Sequence, residues 1–377
     1  MRIAIVNENF GLGGIQRVSK VIGDSLKKNN EVYFYSIFSN QNYFNVQHNF
    51  INGSFPILKN SFLKGTGKAR KVITKSVFHK EYSNAQIKEP YLKKLLSFIF
   101  GANIDVVIVT GPTLISCIDY LKSHSSSTIR WVAWIHNNYH TYMDNYTVGY
   151  QTEFINGLRN ATAVVCLTQD DREQYAKFNS QTHLIYNPLT INNTNISDLS
   201  AKKICFTGRI AFQHKGIDFL LEIASRLSNG WKIEIAGSGS NKQEKELMTQ
   251  IKRRHLDKKI VFRGPLSGNS LNQHYLDSSI YLMTSRWEGM PLVLAEAMSF
   301  GLPIIAFNQS GSAEVLGKGK YGILVENGNI DEMVFQLKQL MSNIEMRKEY
   351  QNISLQRIQD FDLTKITKTW TRLLERL

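Results

Sequence analysis

The sequence predicts an α/β protein built from two doubly wound domains in series. The chain has 377 residues, roughly two and a half times a common domain of about 150 residues, so two cores of similar size are expected. Short apolar runs alternate with amphipathic stretches in both halves, which is typical of parallel sheets covered by helices. Hydrophobic residues make up 42% and charged residues 20% of the chain. This composition fits a globular protein and excludes collagenous, coiled-coil and wholly disordered chains.

The first half opens with a strand, a glycine loop, a helix and a second strand. An apolar run at residues 3–6 predicts the first strand, helical spacing over 15–26 predicts the helix, and residues 32–37 predict the next strand. Further apolar runs without alternation predict strands buried on both faces of a parallel sheet, at residues 106–110, 131–135 and 163–167.

The second half repeats this alternation after a polar stretch. Residues 188–203 are rich in asparagine and lack periodicity, so they are predicted to connect the domains. Strands are predicted at 204–207, 231–236, 260–262, 280–284 and 303–307, and helices at 219–227, 244–254 and 292–300. The predicted domains are therefore 1–187 and 188–362, followed by a terminal amphipathic helix at 363–377.

Cysteine usage and hydropathy limit where the protein works. Cys117, Cys166 and Cys205 are scattered without metal-ligand spacing, so a disulfide framework is not expected and a reducing, cytoplasmic compartment is. The first residues lack the apolar region of a secretory signal, and no stretch approaches the roughly 18 apolar residues of a membrane span. Neither a signal peptide nor a spanning helix is expected.

The positive charge of the chain is concentrated in one segment. The formal net charge is +14, and residues 58–94 hold ten lysines or arginines against two glutamates, a net charge of +8. With its interspersed apolar residues, the segment predicts a surface for anionic lipid at the inner face of the cell membrane, or for an anionic glycan. A solvated helical face is the alternative. Nucleic acid is not expected, because regular aromatic interleaving is missing, and a homo-oligomer is left open.

Glycines follow the first predicted strand. Gly11, Gly13 and Gly14 stand where a helix begins, and a glycine loop at a helix N-terminus can approach an anionic ligand closely. Arg17 stands near the place of the third glycine of a dinucleotide-binding pattern, so that pattern is not matched. A tight turn without a ligand is an equal alternative.

Glycines and cations also follow successive strands of the second half. Gly208 and Arg209 come after one strand, Gly237 after the next, and Arg263 after a third, while Lys215 precedes a helix. Cations at the mouth of a sheet can neutralise a diphosphate, although each alone is more often a solvated surface charge.

The strongest signal is a pair of glutamates on a strand-to-helix element. Glu288 lies in the loop, and Glu296 lies in the helix behind it among apolar residues. A carboxylate in such surroundings needs hydrogen-bond donors. Sugar or ribose hydroxyls would serve, and pairing with a lysine is an equally weighted alternative.

Histidine and aspartate patterns give weaker signals. His136 ends a predicted strand, where it can face a cleft, although a lone histidine is more often structural. His140 is suitably spaced for a shared metal, but no third ligand is evident, so no metal is expected. Asp360 and Asp362 match a D-x-D pattern, but they lie far from any nucleotide loop and favour a structural role.

Taken together, these motifs resemble glycosyltransferase family 4, the retaining sugar-nucleotide transferases of the GT-B fold, of the bacterial cell-surface polysaccharide or teichoic acid type. The resemblance is specific in the second half and weaker in the first. It implies two Rossmann-like domains that face across a cleft, with the terminal helix crossing back to the first. The matching residues are Gly13, Gly14, Arg17, His136, Asn187, Gly208, Arg209, Lys215, Gly216, Gly237, Gly239, Glu288 through Pro291, Glu296, Ala297, Met298, Gly301, Leu302, Pro303 and Glu314.

The resemblance also implies roles for individual residues. Arg209 and Lys215 are implied to bind the diphosphate of the donor, and Glu296 the ribose hydroxyls. His136 would reach the donor sugar from the first domain. Other implied donor-site residues are Gly13 and Gly14 near the phosphates or acceptor, and Glu288, Gly289, Met290, Pro291 and Leu292 at the transferred sugar. Gly237 and Arg263 are further donor-site candidates, and Glu288, His136, Arg209 and Lys215 are the catalytic ones.

This sequence departs from the family pattern at two places. Pro188 follows Asn187 where many members have glycine, which affects only the linker turn. Ser310 and Ser312 flank Gly311 in place of a plainer glycine pair. The second departure bears on the choice of donor sugar.

The leading functional hypothesis is a metal-independent retaining hexosyltransferase. Its donor would be a nucleoside diphosphate sugar, most readily a UDP sugar, and its acceptor a hydroxyl of a membrane-linked or anionic cell-surface glycan. No cofactor is expected, since Arg209 and Lys215 supply positive charge without a metal. A nucleotide-sugar 2-epimerase of the same architecture and a nonenzymatic anion-binding protein are the alternatives.

Overall fold

The chain folds into two compact units. The computed structural model describes residues 1–46, 49–77, 81–193, 195–227 and 230–377, and leaves undescribed the side chains of residues 57, 58, 73 and 75–77. The first unit comprises Met1–Pro188 and Leu363–Leu377, and the second comprises Leu189–Asp362. These limits differ by one residue from the predicted boundaries at 187 and 188.

The first unit contains a parallel sheet. Its described strands are β1 (Arg2–Asn7), β2 (Glu31–Ser36), β3 (Phe50–Asn52), β4 (Val106–Thr110), β5 (Arg130–Trp134), β6 (Ala163–Cys166) and β7 (Thr182–Leu184). They are ordered β3-β2-β1-β4-β5-β6-β7, and every described pairing is parallel. Strands β1 and β4 to β6 are almost wholly buried, which explains their unalternating apolar runs.

The second unit contains a second parallel sheet. Its described strands are β8 (Lys203–Thr207), β9 (Lys232–Ala236), β10 (Ile260–Gly264), β11 (Ile280–Met283), β12 (Ile304–Asn308) and β13 (Ile323–Glu326). Their order is β10-β9-β8-β11-β12-β13, again with parallel pairing throughout. The predicted α/β class with two doubly wound sheets is confirmed. Chain order reverses between β8 and β11, and ligands bind at the carboxyl ends of strands beside such a reversal.

Helices cover the sheet of the first unit. They are α1 (Gly14–Leu26), α2 (Ile57–Val77), α3 (Asn84–Gly101), α4 (Pro112–Ile115), α5 (Ile118–Ser123), α6 (Tyr139–Thr141), α7 (Gln151–Asn160) and α8 (Gln169–Tyr175), with a π-helical turn at Tyr142–Tyr146. Helix α1 buries Val18, Ile22 and Leu26 on one face, at the spacing that predicted it.

The helices of the second unit follow the same pattern. They are α9 (Phe212–Lys215), α10 (Ile217–Ser225), α11 (Asn241–Arg253), α12 (Gly268–Leu276), α13 (Leu292–Ser299), α14 (Ser310–Val315), α15 (Ile330–Ser342) and α16 (Ile344–Arg357), with 3₁₀ turns at Gly317–Gly319 and Ile358–Phe361. None of the helices in the described ranges has the length and apolar character needed to span a membrane.

The terminal helix α17 (Leu363–Arg376) belongs to the first unit. It packs on α1, where the hydroxyls of Ser25 and Thr367 are 2.7 Å apart. The buried Trp370 meets Trp134 of β5 edge to face, with ring centroids 4.8 Å apart. The chain thus returns to the first unit, as the predicted apolar face of this helix requires.

The stretch predicted to connect the domains is packed rather than free. Ser197 and Leu199 are buried in the second unit. The Ser197 amide donates to the Phe300 carbonyl at 2.9 Å, and its hydroxyl donates to the Ser278 carbonyl at 2.6 Å. The predicted connection over 188–203 therefore begins at the boundary between the units but continues as a packed part of the second unit. Polar residues that satisfy buried carbonyls resemble loop residues in sequence.

Cys117, Cys166 and Cys205 are free and buried. Cys117 and Cys166 lie in the first unit, and Cys205 lies in β8 of the second. Burial raises the pKa of Cys205 to about 12, so this thiol is unreactive at neutral pH.

Candidate functional site

The candidate site lies at the carboxyl ends of β8 and β11, the two strands of the second sheet between which the chain order reverses. The segments that follow β8 and β11 carry Arg209, Lys215 and Glu288. Two glycines bring these segments together. Gly216 is left-handed (φ 62°), and a Cβ there would lie 2.0 Å from the Thr284 carbonyl oxygen. Only glycine fits this position, which fixes Lys215 beside the end of β11.

Gly237 has a similar structural reason for being glycine. Its φ is +150°, and a Cβ there would lie 1.8 Å from the carbonyl oxygen of Gly208. Close approach of two chain segments, rather than of a ligand, therefore accounts for glycine at the end of β9. The structure thus explains this glycine by backbone packing, and its predicted place in the donor site stays a prediction.

Lys215 and Glu288 form a buried ion pair. The Lys215 ammonium lies 2.5 Å from Oε1 of Glu288, and the two side chains are 12% and 11% exposed. Burial acts to raise the pKa of Glu288, but the charges of Lys215 and His214 and the hydrogen bonds to the carboxylate outweigh it. The pKa of Glu288 therefore lies below its ordinary value. The sequence assigned these two residues separate roles, and the structure places them in direct contact.

His214 also belongs to this cluster, although the sequence did not predict it as a site residue. Its Nδ1 lies 3.3 Å from a guanidinium nitrogen of Arg209, and its Nε2 lies 2.9 Å from the carbonyl oxygen of Trp287. Oε1 of Glu288 is 3.7 Å from the same Nε2. The only available sequence signal was adjacency, since His214 immediately precedes the predicted phosphate-binding lysine.

Arg286 connects the segments that follow β8 and β11, and it was also not predicted as a site residue. Its guanidinium binds both carboxylate oxygens of Asp218, at 2.9 and 2.5 Å, and donates to the Phe212 carbonyl at 3.0 Å. It also lies 3.9 Å from the ring centroid of Phe219. A bidentate pair of this kind has fixed geometry, so Arg286 holds α9 and α10 against the end of β11.

Glu296 is buried and held by hydroxyls. It is 1% exposed, and its carboxylate accepts from the Tyr275 hydroxyl at 2.9 Å and from the Thr190 hydroxyl at 3.3 Å. Tyr275 in turn stacks on Phe300, with ring centroids 5.2 Å apart. Hydroxyls of the protein itself thus donate to the carboxylate, as a buried carboxylate requires. The sequence suggested ribose hydroxyls or a lysine as its partners, and the role toward ribose stays a prediction.

The segment after Glu288 turns directly into a helix. Met290 is buried, Pro291 occupies the N-cap, and α13 begins at Leu292. The carbonyl oxygen of Gly289 would be 2.6 Å from a Cβ at Gly311, so a glycine in α14 lets this loop pass close by. Because α13 begins at Leu292, its first backbone N–H groups lie only a few residues after Glu288 in the chain.

Arg263 lies in β10, and its guanidinium is engaged. It donates to both carboxylate oxygens of Glu234, each at 3.0 Å, and its side chain is 46% exposed while that of Glu234 is 7% exposed. Burial acts to raise the pKa of Glu234, but its bonds and charges from Arg263 and Lys203 lower it. The expectation of a free donor-site cation needs correction, because this arginine neutralises a buried carboxylate.

In the glycine loop of the first unit, the backbone conformation at Gly13 does not require a glycine. Helix α1 begins at Gly14, and Gly13 has extended backbone with φ 176°. A Cβ at Gly13 would meet only the flexible Gln16 side chain. Beside the loop, the buried side chain of Asn7 accepts hydrogen bonds from Ser19 and Thr110.

His136 follows β5 in the first unit. Its ring lies 4.5 Å from Trp134, and its enclosed Nε2 has no hydrogen-bond partner among the residues that the structure describes. Burial lowers the pKa of His136 to about 3, so the imidazole is neutral at physiological pH. His140 is 73% exposed and lies 3.5 Å from Asp144, so the two histidines have different surroundings.

The D-x-D residues lie at the 3₁₀ turn that precedes α17. Asp360 lies within this turn and accepts from Arg357 at 2.7 Å, and Asp362 is the C-cap of the turn. Across the described ranges, no three histidine, cysteine, aspartate or glutamate side chains gather as a metal site would require.

The structure therefore brings Arg209, His214, Lys215 and Glu288 together, with Glu296 on the following helix of the same unit. Gly13, Gly14 and His136 belong to the first unit. The cluster places several hydrogen-bond donors at the carboxyl end of a parallel sheet, and its two cations, Arg209 and Lys215, exceed the single carboxylate of Glu288 by one positive charge. This arrangement suits a phosphorylated ligand.

Comparison with known proteins matches most of the second unit to a family of glycosyltransferases. Residues 190–357 match the family described as glycosyl transferases group 1. An uncharacterised glycosyltransferase of Haemophilus influenzae is 28% identical over 374 residues, which cover 96% of each chain. The amylovoran biosynthesis glycosyltransferase AmsD of Erwinia amylovora is 30% identical over 225 residues, which cover 57% of this chain and 62% of AmsD.

A solved structure shows the same fold over the whole chain. HepE of Anabaena, crystallised in complex with UDP and glucose, aligns with a TM-score of 0.78 at 17% identity and covers 100% of both chains. With the two parallel sheets, this likeness confirms the predicted GT-B fold class.

Proposed function

We propose that this chain, a glycosyltransferase whose residues 190–357 belong to the glycosyl transferases of group 1, moves a hexosyl unit from a nucleoside diphosphate sugar to a glycan hydroxyl with retention at the anomeric carbon. The observation that carries the proposal is the buried cluster of Lys215 and Glu288 beside Arg209. The donor's diphosphate is assigned to Arg209 and Lys215, and its ribose to Glu296.

The cations supply what the departing nucleotide needs. Cleavage of the bond between sugar and diphosphate leaves negative charge on the diphosphate oxygens. Lys215 has three N–H donors and uses one on Glu288, and the guanidinium of Arg209 has five donors at an exposed position. Fixed donors aimed at developing charge lower the barrier to transfer, and they do so without a metal ion.

Glu288 is assigned to the transferred sugar. Its pKa lies below the ordinary value, so it is a carboxylate that accepts hydrogen bonds from sugar hydroxyls. The backbone N–H groups of Gly289, Met290 and Leu292 follow it into α13 and complete this part of the site, whereas Pro291 has no N–H to donate. Retention and membership of glycosyltransferase family 4 are proposed from the motif order given above.

The acceptor is assigned to the first unit. From the same unit, His136 is assigned to the donor sugar, and the Gly13–Gly14 loop to the phosphates or the acceptor. UDP is the nucleotide proposed, and HepE, which shares the fold, was crystallised with it. The acceptor proposed is a membrane-linked or anionic cell-surface glycan. AmsD is named for amylovoran biosynthesis.

The first test measures UDP release. Purified protein with a panel of UDP sugars and candidate acceptors is expected to release UDP only when an acceptor is present, equally well in excess EDTA, and to form an α-linked product from an α-linked donor. Epimerisation of the donor without an acceptor would favour the isomerase. Loss of turnover in EDTA that Mn²⁺ restores would contradict the metal-independent mechanism.

Part of the basic segment presents a surface suited to anionic lipid. Lys64, Lys68 and Arg70 are exposed on α2, and two apolar side chains on the same helix are also exposed, Phe62 by 69% and Val72 by 63%. Exposed apolar and basic side chains on one helix suit the interface of an anionic membrane, at about 1 kcal/mol for each basic residue near the surface.

Other parts of the segment are used by the fold. Lys71 lies 4.5 Å from the Tyr82 ring and Lys88 lies 4.6 Å from the Phe38 ring, and burial lowers the pKa of both lysines. The expectation that the whole segment meets an anionic partner is corrected here. The leucines of α3 are buried in the core rather than exposed to lipid: Leu92, Leu95 and Leu96. Lys75's side chain and Lys80 lie outside the described part of the chain.

The membrane assignment predicts a loss of vesicle binding in a charge variant. Replacing Lys64, Lys68 and Arg70 with glutamine is expected to reduce sedimentation with phosphatidylglycerol vesicles by about tenfold or more at low salt, since three charges of about 1 kcal/mol each are removed. Wild-type binding is expected to fall as salt rises.

A matched control replaces Lys242, Lys245 and Arg253 of α11 in the second unit with glutamine. Equal losses in both variants, or no binding by the wild type, would contradict the surface assigned to α2. Binding to teichoic acid without binding to vesicles would assign the surface to the acceptor polymer instead.

A further inference from the structure

His214 is held in one tautomer by its two hydrogen bonds. A guanidinium can only donate, so Nδ1 must accept from Arg209 at 3.3 Å through its lone pair. A carbonyl oxygen can only accept, so Nε2 must carry the proton that is donated to Trp287 at 2.9 Å. Both contacts therefore require the same neutral imidazole, with the proton on Nε2.

The imidazole is also fixed by stacking and burial. Its ring lies nearly parallel to the indole of Trp287, at 17° with ring centroids 5.0 Å apart, and the side chain is 17% exposed. The backbone is fixed as well, because the Arg286 amide donates to the His214 carbonyl at 2.9 Å. The ring therefore connects the segment after β8 to the loop after β11 as a rigid spacer.

Arg209 gains its orientation from this contact. It is exposed, and a free arginine side chain samples many rotamers that a bound ligand would have to restrict. A hydrogen-bond acceptor on the guanidinium restricts it before a ligand arrives, which increases affinity by preorganisation. Within the described part of the chain, His214 supplies Arg209 with an uncharged acceptor, so this contact does not cancel the positive charge of the guanidinium.

We infer that His214 is a positioning residue that orients Arg209 toward the diphosphate of the donor. The inference rests on the proposed function, because it takes Arg209 to be a phosphate ligand. It adds that the histidine acts through Arg209 rather than on the nucleotide itself, and that an acceptor at the place of Nδ1 is what the site requires.

A double-mutant cycle read by calorimetric UDP binding tests the inference. His214→Phe keeps an aromatic ring but removes both hydrogen bonds, and it is expected to weaken UDP binding about tenfold. In an Arg209→Ala background the same change is expected to have an effect of less than about twofold, since residues that act through one contact are not additive. A role confined to folding would give the same loss in both backgrounds and would overturn the inference.

Two polar variants provide a second test with a similar size of side chain. Asparagine can present an acceptor at the place of Nδ1, and glutamine can present a donor at the place of Nε2. His214→Asn is expected to recover UDP affinity to within about threefold of the wild type, and His214→Gln is expected to stay near the level of His214→Phe. The reverse order would overturn the inference.

Failure of the proposed function would look different. A wild-type protein that binds neither UDP nor another nucleoside diphosphate would contradict the donor site and the inference together. Nucleotide binding that Arg209→Ala leaves unchanged would contradict the assignment of Arg209, and with it the role given to His214. Wild-type binding that needs Arg209 but is unaffected by His214→Phe would contradict the inference alone.

Discussion

Replacing Lys215 with alanine is expected to weaken UDP binding by about a hundredfold and to destabilise the second unit by about 3–5 kcal/mol. The loss of affinity follows from removing a cation assigned to the diphosphate. The loss of stability follows from Glu288, whose side chain is 11% exposed and would keep its charge without the ammonium now 2.5 Å away. Calorimetric titration with UDP and urea denaturation measure the two effects.

A double variant separates these effects. Lys215→Met combined with Glu288→Gln removes both charges, and it is expected to restore the free energy of unfolding to within about 1 kcal/mol of the wild type. UDP binding is expected to remain weak, since the cation is still missing. A single Lys215→Ala variant that is fully stable and binds UDP like the wild type would contradict both the ion pair and the donor assignment.

Replacing His136 with alanine is expected to lower the turnover number by about a hundredfold, while UDP affinity changes by less than about threefold. His136 belongs to the first unit, whereas the residues assigned to the nucleotide belong to the second. Its proposed contact is with the donor sugar in the transition state, and such contacts affect turnover more than ground-state binding. Steady-state kinetics with UDP release give both parameters.

The pH profile of turnover adds a check on the protonation state of His136. Burial lowers the pKa of His136 to about 3, so the ring stays neutral when the pH falls from 8 to 5. Turnover should therefore show no step from this residue in that range. His140→Ala is the control for the substitution of a nearby histidine, because His140 is 73% exposed.

An unchanged turnover number in His136→Ala would leave His136 with a structural role beside Trp134.

The sequence predicted the two sheets because buried parallel strands have long apolar runs. Strands β1, β4, β5 and β6 all have this character, and each was predicted. Strands β3, β7 and β13 were missed, since each has only three or four residues, is partly exposed and lies at the edge of its sheet. Edge strands of this length carry too little periodicity to be distinguished from loops.

The site was predicted as a set of residues but not as a set of contacts. Glu288 and Lys215 are 73 residues apart in sequence, and no local pattern shows that they form an ion pair. The same separation hid His214, which meets Trp287 only because Gly216 lets its segment approach Thr284. Contacts of this kind depend on tertiary packing, which spacing along the chain does not record.

The assignment of positive charge shows the same limit. Composition located the basic segment, but it could not separate Lys71 and Lys88, which lie over aromatic rings, from exposed residues such as Lys64. Similarly, Arg263 was predicted as a donor-site cation, whereas its two hydrogen bonds to Glu234 depend on a neighbouring strand.

The most direct test of the donor site is a crystal structure of the protein soaked with UDP. We expect the diphosphate within hydrogen-bond distance of Arg209 and Lys215, and the ribose hydroxyls at the carboxylate of Glu296. Electron density for UDP at any other place on the chain, with no ligand bound at Arg209, Lys215 and Glu296, would contradict the donor site assigned to these residues.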